Sequence, residues 1–259
     1  MAFSLSRNEP IRAIMLELKS LLGVQTFFET GTRHGSGVSW AAKNGFPTCY
    51  TVDTIDREPK GLFAQQIEEG KVYRIVDDST IALKRILTDQ VKPQPFIFWL
   101  DAHGPKSVGS PVLEEIETIL KWNHQAFIFI DDITIFARER FYTKKYDTWP
   151  KVEEIYEALG TRPYCARADA LISFPEELVS EMWHCWEAAN NVDWFIDLPG
   201  SGLRLPVEGW FKPWKARKYH YILKGQSMCG DYKKVDLDPA LVPTTILGSR
   251  RCERCLKKL

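Results

Sequence analysis

The 259-residue chain has no long apolar run. Its longest, Phe96–Leu100 and Ala126–Ile130, are five residues each, against the ~20 needed to cross a bilayer. Residues Met1 to Arg12 carry no apolar h-region, so no secretory signal is visible and a soluble, cytoplasmic protein with no membrane partner is expected. Net charge is lacking too: 34 Lys and Arg balance 34 Asp and Glu, which excludes a uniform polycation or polyanion. Cysteine is sparse, six in all, too few for a disulfide scaffold at this length. There is no internal repeat or low-complexity segment. With 44% hydrophobic and 26% charged residues, the composition excludes the disordered, collagenous and fibrous classes. A chain of this size buries about three quarters of its unfolded surface, enough for a conventional core in one large α/β domain or a domain with a small appendage.

What is present is an alternation of short apolar strands and helical patterns. Residues Asn8–Gly23 read as a helix, with Asn8 as cap, Pro10 in the first turn and Gly23 as stop. Strands are predicted at Gln25–Phe28, Thr48–Val52, Val72–Val76, Phe96–Leu100 and Phe127–Ile130. Helices are predicted near Val38–Lys43, Leu62–Glu69, Ile81–Asp89, Pro111–Trp122 and Trp149–Leu159. Strands apolar throughout and separated by helices indicate a parallel sheet covered on both faces. Arg162–Ala168 and Ala170–Phe174 read as an antiparallel pair at the sheet edge, followed by a helix at Glu176–Ala189. Three segments result: a sheet domain at 1–175, a Trp/Pro/Gly-rich connection at 176–215 and a basic tail at 216–259.

Between the first strand and the next helix lies Glu29-Thr-Gly31-Thr-Arg33-His34-Gly35-Ser-Gly37. Glycines there let the backbone turn sharply beside a ligand, and the helix N-terminus favours an anion. The spacing is neither G-x-G-x-x-G nor the P-loop pattern. Asp53 closes the second strand, where a carboxylate can accept both hydrogen bonds of a ribose diol. Asp78-Ser79 closes the third strand, Asp101 the fourth and Asp131-Asp132 the fifth. Open α/β sheets bind ligands at this carboxyl edge, although any one such Asp serves equally well as a helix cap. His103, two residues past Asp101, titrates near neutrality and is the leading general-base candidate, with His34 as its rival.

With these residues in place, the sequence resembles the class I S-adenosylmethionine-dependent methyltransferases. Glu29-x-Gly31-x-x-x-Gly35 matches their first motif, Asp53 their ribose-binding acid and Asp78-Ser79 the turn beside the adenine. Phe98-Trp-Leu-Asp101-Ala-His103-Gly, Ser110-Pro-Val-Leu-Glu114-Glu115 and Ile130-Asp131-Asp132 look like a bacterial and phage-like branch of that superfamily. The resemblance covers Gln25–Pro175. It implies a Rossmann-like seven-stranded sheet, mostly parallel with the last strand antiparallel and helices on both faces. It also implies S-adenosylmethionine held by Glu29, Gly31, Arg33, Gly35, Asp53, Asp78, Ser79 and Asp101. Catalytic roles then fall to Asp101, His103 and Asp131, acting on a hydroxyl of a sugar or small molecule. The catechol-type enzymes place an Asp and an Asp-Asn pair where this chain has Asp101 and Asp131-Asp132, which implies a Mg²⁺ or other divalent site there. The alternative is that Asp131 or Asp132 caps a loop.

The tail differs from the rest. Phe211–Leu259 holds twelve Lys and Arg against four Asp and Glu, net +8, which suits an anionic partner such as nucleic acid or simply a solvated surface. His220, Cys229, Cys252 and Cys255 have the composition of a structural zinc site, and a hairpin at Lys224-Gly225-Gln226 would bring the first two together. The other reading of Cys252 and Cys255 is a pair of free thiols. The expected whole is a methyltransferase with a zinc-stabilised appendage. Its rivals are a nucleic-acid-modifying enzyme and a non-catalytic binding module on the same fold.

Overall fold

The computed structural model describes Leu5 and residues 8–89, 95–104, 109–136, 149–167 and 169–188, with three short strands between 208 and 227. Helix α1 (Glu9–Leu22) buries Ile11, Ile14, Met15 and Leu18, which recur at helical spacing, and ends at Gly23 with φ 64°, a left-handed stop that glycine adopts without a Cβ clash. Then come β1 (Thr26–Thr30), α2 (Ser36–Lys43), β2 (Thr48–Asp53), α3 (Gly61–Glu68), β3 (Val72–Val76) and α4 (Ser79–Thr88). Next are β4 (Phe96–Leu100), α5 (Val112–Trp122), β5 (Phe127–Ile130) and the single turn α6 (Ile133–Phe136). The unit finishes with α7 (Val152–Leu159), β6 (Tyr164–Arg167), β7 (Ala170–Ser173), a 3₁₀ turn at Glu176–Leu178 and α8 (Val179–Ala188).

The seven strands are ordered β3-β2-β1-β4-β5-β7-β6. β1 to β5 pair in parallel, and β7 runs antiparallel to both β5 and β6. This is the α/β sheet that the resemblance implied, edge pair included. Within each central strand successive side chains enter opposite cores. Phe27, Ile97, Trp99, Phe127 and Phe129 pack with α1, α2 and α8, while Phe28, Phe98, Leu100, Ile128 and Ile130 pack with α4, α5 and α7. Helices on both faces are why β4 and β5 are apolar at every position rather than at alternate ones.

Register fixes the functional edge. Thr30 is level with Val52 and Leu100, and Leu100 with Ile130. The next residues along, Gly31, Asp53, Asp101 and Asp131, therefore leave the sheet side by side. β1 and β4 are neighbours, and the chain turns away from them in opposite directions, so the crevice between them is a topological switch point.

Two boundaries move from where composition put them. Met182, Cys185 and Trp186 of α8 are buried in the same core as α1, which carries the sheet unit past residue 175. A second, three-stranded antiparallel sheet joins β8 (Glu208–Phe211), β9 (His220–Leu223) and β10 (Gln226–Ser227) in the order β10-β9-β8. β8 belongs to the Trp-rich connection and β9 to the tail, so the division at 215/216 falls inside a sheet. A composition shift records average polarity and carries no information on which strands pair. The expected hairpin is present, with Leu223 opposite Gln226. Among the described residues no helix is long and apolar enough to cross a membrane.

Phe98 is fully buried at the centre of the sheet, whereas Ile81 on α4 is 57% exposed. Phe98→Ala is expected to cost about 3–5 kcal/mol and Ile81→Ala no more than about 0.5 kcal/mol, measured by chemical denaturation.

Candidate active site at the β1–β4 switch point

The glycine turn is held from three sides. Glu29, 4% exposed, points into the α2 side, where its Oε2 accepts hydrogen bonds from Thr51 Oγ1 at 2.9 Å and from the Val38 N–H at 3.3 Å. A Cβ on Gly37 would run into Glu29 Oε1, so only glycine lets the helix approach this closely. The Gly31 and Thr32 N–H groups both donate to the Val52 carbonyl, at 2.8 and 3.1 Å. Gly31, at φ 84°, sits so close to β4 that a Cβ would strike the Asp101 carbonyl. Arg33 is left-handed at φ 48°, an uncommon state for a long side chain, and its N–H donates to Asp53 Oδ2 at 2.8 Å.

Asp53 therefore braces the loop from β2. It also accepts from the Ile55 N–H at 2.9 Å and from Arg57 Nη1 at 3.0 Å. A carboxylate offers about four lone-pair sites, so one remains for a ribose hydroxyl unless Arg57 gives way. Glu29 lies inside the loop as a tie rather than on its ligand side. Asp78 caps α4, accepting from the N–H groups of Thr80 and Ile81 and from the Thr80 hydroxyl. Capping holds its pKa below the usual range, with the Thr80 hydroxyl as the largest cause. Ser79 is buried beneath it. His34 is exposed on the loop.

Across the switch point the acids converge electrostatically. Burial, and then the neighbouring Asp132, push Asp101 upward, while the Arg33 guanidinium opposes the shift. Burial and then Asp101 push Asp131 upward. Burial and like charge thus favour the neutral form of both carboxyls. Asp132 is left-handed at φ 56°. Burial, and then Asp169 in the β6–β7 turn, raise it to about 6. Among the described residues no group of three or more His, Cys, Asp or Glu side chains is arranged to hold a metal ion. The Asp101, Asp131 and Asp132 seat drawn from the sequence is thus not assembled.

His103 is built into the frame. Its Nδ1 lies 3.0 Å from Ser110 Oγ, and its ring centroid stands 5.0 Å from those of both Phe136 and Trp149. Trp149 Nε1 donates to the Gly104 carbonyl at 2.9 Å. Burial lowers the His103 pKa to about 4, against pulls from the backbone of Asp131 and Leu100. The ring is thus neutral at pH 7 and links Ser110 to the aromatic pair of Phe136 and Trp149.

Sequence reasoning passed over Glu115. It lies in the first turn of α5 and is fully buried, with neither carboxylate oxygen at hydrogen-bonding geometry. Burial raises it to about 7, and the nearby Ser79 and Thr30 hydroxyls only partly offset this. Its spacing from Val112 and Ile119, both core positions of α5, was the available signal. Also unforeseen is a cavity of about 450 Å³ on the other flank of the loop, with Arg33, Arg57, Lys60, Phe63 and Arg74 in its wall. Of the expected zinc ligands, His220 opens β9, and Cys229, Cys252 and Cys255 lie outside the described residues.

No protein-family model and no curated protein sequence matches the chain. Solved structures of similar fold are methyltransferases. The chain is 19% identical to the O-methyltransferase from Bacillus cereus in complex with SAH, over 63% of this chain and 80% of that one, with TM-score 0.45. It is 14% identical to an N-methyltransferase from Bradyrhizobium japonicum, over 66% and 97%, with TM-score 0.39. It is 15% identical to an rRNA methylase from Streptococcus thermophilus, over 64% and 97%, with TM-score 0.38. These are distant likenesses of fold, and they do not agree on an acceptor.

Burial raises Glu29 from 4.5 to about 8. A carboxyl raised on folding stabilises fully below its unfolded pKa, and that contribution is lost as pH rises through the folded value. The expected outcome is wild-type stability that falls between pH 5 and pH 8.5 in urea denaturation, with a shallower fall in Glu29→Gln. Parallel slopes in the two proteins would show that Glu29 is not buried as a neutral acid.

Proposed function

We propose that the chain is an S-adenosylmethionine-dependent methyltransferase. The observation that carries this reading is the switch point itself. A glycine turn braced by Asp53 and pressed on Asp101 stands at the carboxyl ends of β1 and β4, in a sheet whose only antiparallel member is β7. The Gly31–Gly35 turn, Asp53 and the Asp78-Ser79 turn would hold the cofactor, which when bound supplies an electrophilic methyl group. The remaining lone pair of Asp53 takes a ribose hydroxyl. Asp101, with Arg33 beside it, faces the acceptor and takes the proton that the acceptor loses. Asp131, pushed up to about 9 by burial and then by Asp101, keeps its proton and positions the acceptor by donating a hydrogen bond. His103 acts through the loop it anchors. The acceptor we assign is a hydroxyl on a sugar or other small molecule, and no step is assigned to a divalent ion.

A second reading, methylation of nucleic acid, draws on the net +8 of Phe211–Leu259. Its signature is binding that falls steeply with salt.

S-adenosylhomocysteine is expected to bind the wild-type chain in calorimetry, and Asp53→Ala to weaken that binding by about 1–3 kcal/mol. Unchanged affinity in the variant, or binding of a nicotinamide dinucleotide in its place, would overturn the reading. For the tail, we assign structural zinc to His220, Cys229, Cys252 and Cys255. Metal analysis should find zinc in the wild-type chain and none in Cys252→Ser, whose sheet domain stays folded.

A further inference from the structure

On the side of the glycine turn away from Asp101, the loop from β2 to α3 lines an open cavity of about 450 Å³. Four cationic side chains line it, Arg33, Arg57, Lys60 and Arg74, against one carboxylate, Glu58. Two of the four are fixed. Arg57 Nη1 is 3.0 Å from Asp53 Oδ2, and Arg74 Nη2 is 2.6 Å from Asp56 Oδ1. Each contact engages one terminal nitrogen of a guanidinium that carries five N–H donors, so the planes are oriented while other donors remain. Counting Asp53 and Asp56 as well as Glu58, the balance around the cavity is still positive. The opposite wall is apolar. It comprises Ile55 and the ring of Phe63, which lies so close to Gly35 that a Cβ there would overlap it.

We propose that this cavity binds the phosphate group of a small organic phosphate, beside the site that ends on Asp53 and separate from it. Three arginines and a lysine approach from the turn, from the β2–α3 loop and from β3. A carboxylate is satisfied by a single guanidinium fork, whereas the several oxygens of a phosphate can engage forks from different directions. The volume lies within the range of small-molecule sites and exceeds what a bare ion needs, and Phe63 and Ile55 offer a face for a planar or apolar body. Lys60 precedes the first turn of α3 and is exposed, so it can be changed without disturbing the core. Its charge, like that of the Arg33 guanidinium, is not among those paired with Asp53 or Asp56.

The test is calorimetry on the full-length chain, with phenyl phosphate as the probe and phenol as its uncharged control, each with and without saturating S-adenosylhomocysteine. Phenyl phosphate is expected to bind in both conditions and phenol in neither. Lys60→Glu should weaken phenyl phosphate at least tenfold, Lys60→Arg should restore it to within about twofold, and neither should move S-adenosylhomocysteine affinity by more than about twofold. Failure of the wild type to bind phenyl phosphate, or equal binding by Lys60→Glu, overturns the proposal. Competition with S-adenosylhomocysteine also overturns it, because the cavity is then a lobe of the cofactor site. Displacement of phenyl phosphate by a single-stranded oligonucleotide, dependent on Lys60, would replace the small ligand with a nucleic-acid backbone. A chain that binds phenyl phosphate but not S-adenosylhomocysteine keeps this proposal and loses the methyltransferase reading.

Discussion

A single buried carboxylate, that of Glu29, ties together the elements on which the functional edge depends. It extends from the end of β1, takes the Thr51 hydroxyl of β2 and the Val38 N–H of α2, and excludes any side chain at position 37. The turn between β1 and α2 thereby acquires its path. Once that path is set, Gly31 meets the Asp101 carbonyl and the Arg33 N–H meets Asp53. The cost is a carboxyl group taken out of water. It is offset by hydrogen bonding and by protonation rather than by a cation, which is how proteins generally tolerate an unpaired buried acid.

The same economy governs the neighbouring strand ends. Glu29, Asp101, Glu115, Asp131 and Asp132 are all shifted upward, with burial as the leading cause. Arg33 is the cation that acts on Asp101, and it also reaches the cavity on the other side of the turn. The two flanks of the loop are therefore opposite in character, acidic toward β4 and β5 and basic toward α3. A ligand at the switch point and a ligand in the cavity would meet through one residue.

Much of this was legible in the residues. The ends of β4 and β5 coincide with the apolar runs because both strands are apolar throughout. β1 runs two residues further than its hydrophobicity suggested, because Glu29 and Thr30 are buried as polar groups inside the sheet. Asp78 could be named as a functional acid or as a cap, and the backbone of α4 makes it a cap. What the sequence concealed were backbone states and long-range neighbours. The left-handed turn at Asp132 has no signal in the sequence, and the aromatic partners of His103 lie 33 and 46 residues away at Phe136 and Trp149. Pairing of β8 with β9 was hidden for the same reason, since a strand partner is not a property of composition.

The braced turn also bears on how binding and folding relate. Its backbone is already tied to Val52, Asp53 and, through Val38, to Glu29, so a ligand meets a surface whose ordering entropy was met during folding rather than at encounter. Affinity at such a preorganised loop inherits the stability of the sheet beneath it. Substitutions in β2 that never touch the ligand would slacken the turn and register first as weakened binding, before any loss of folded protein.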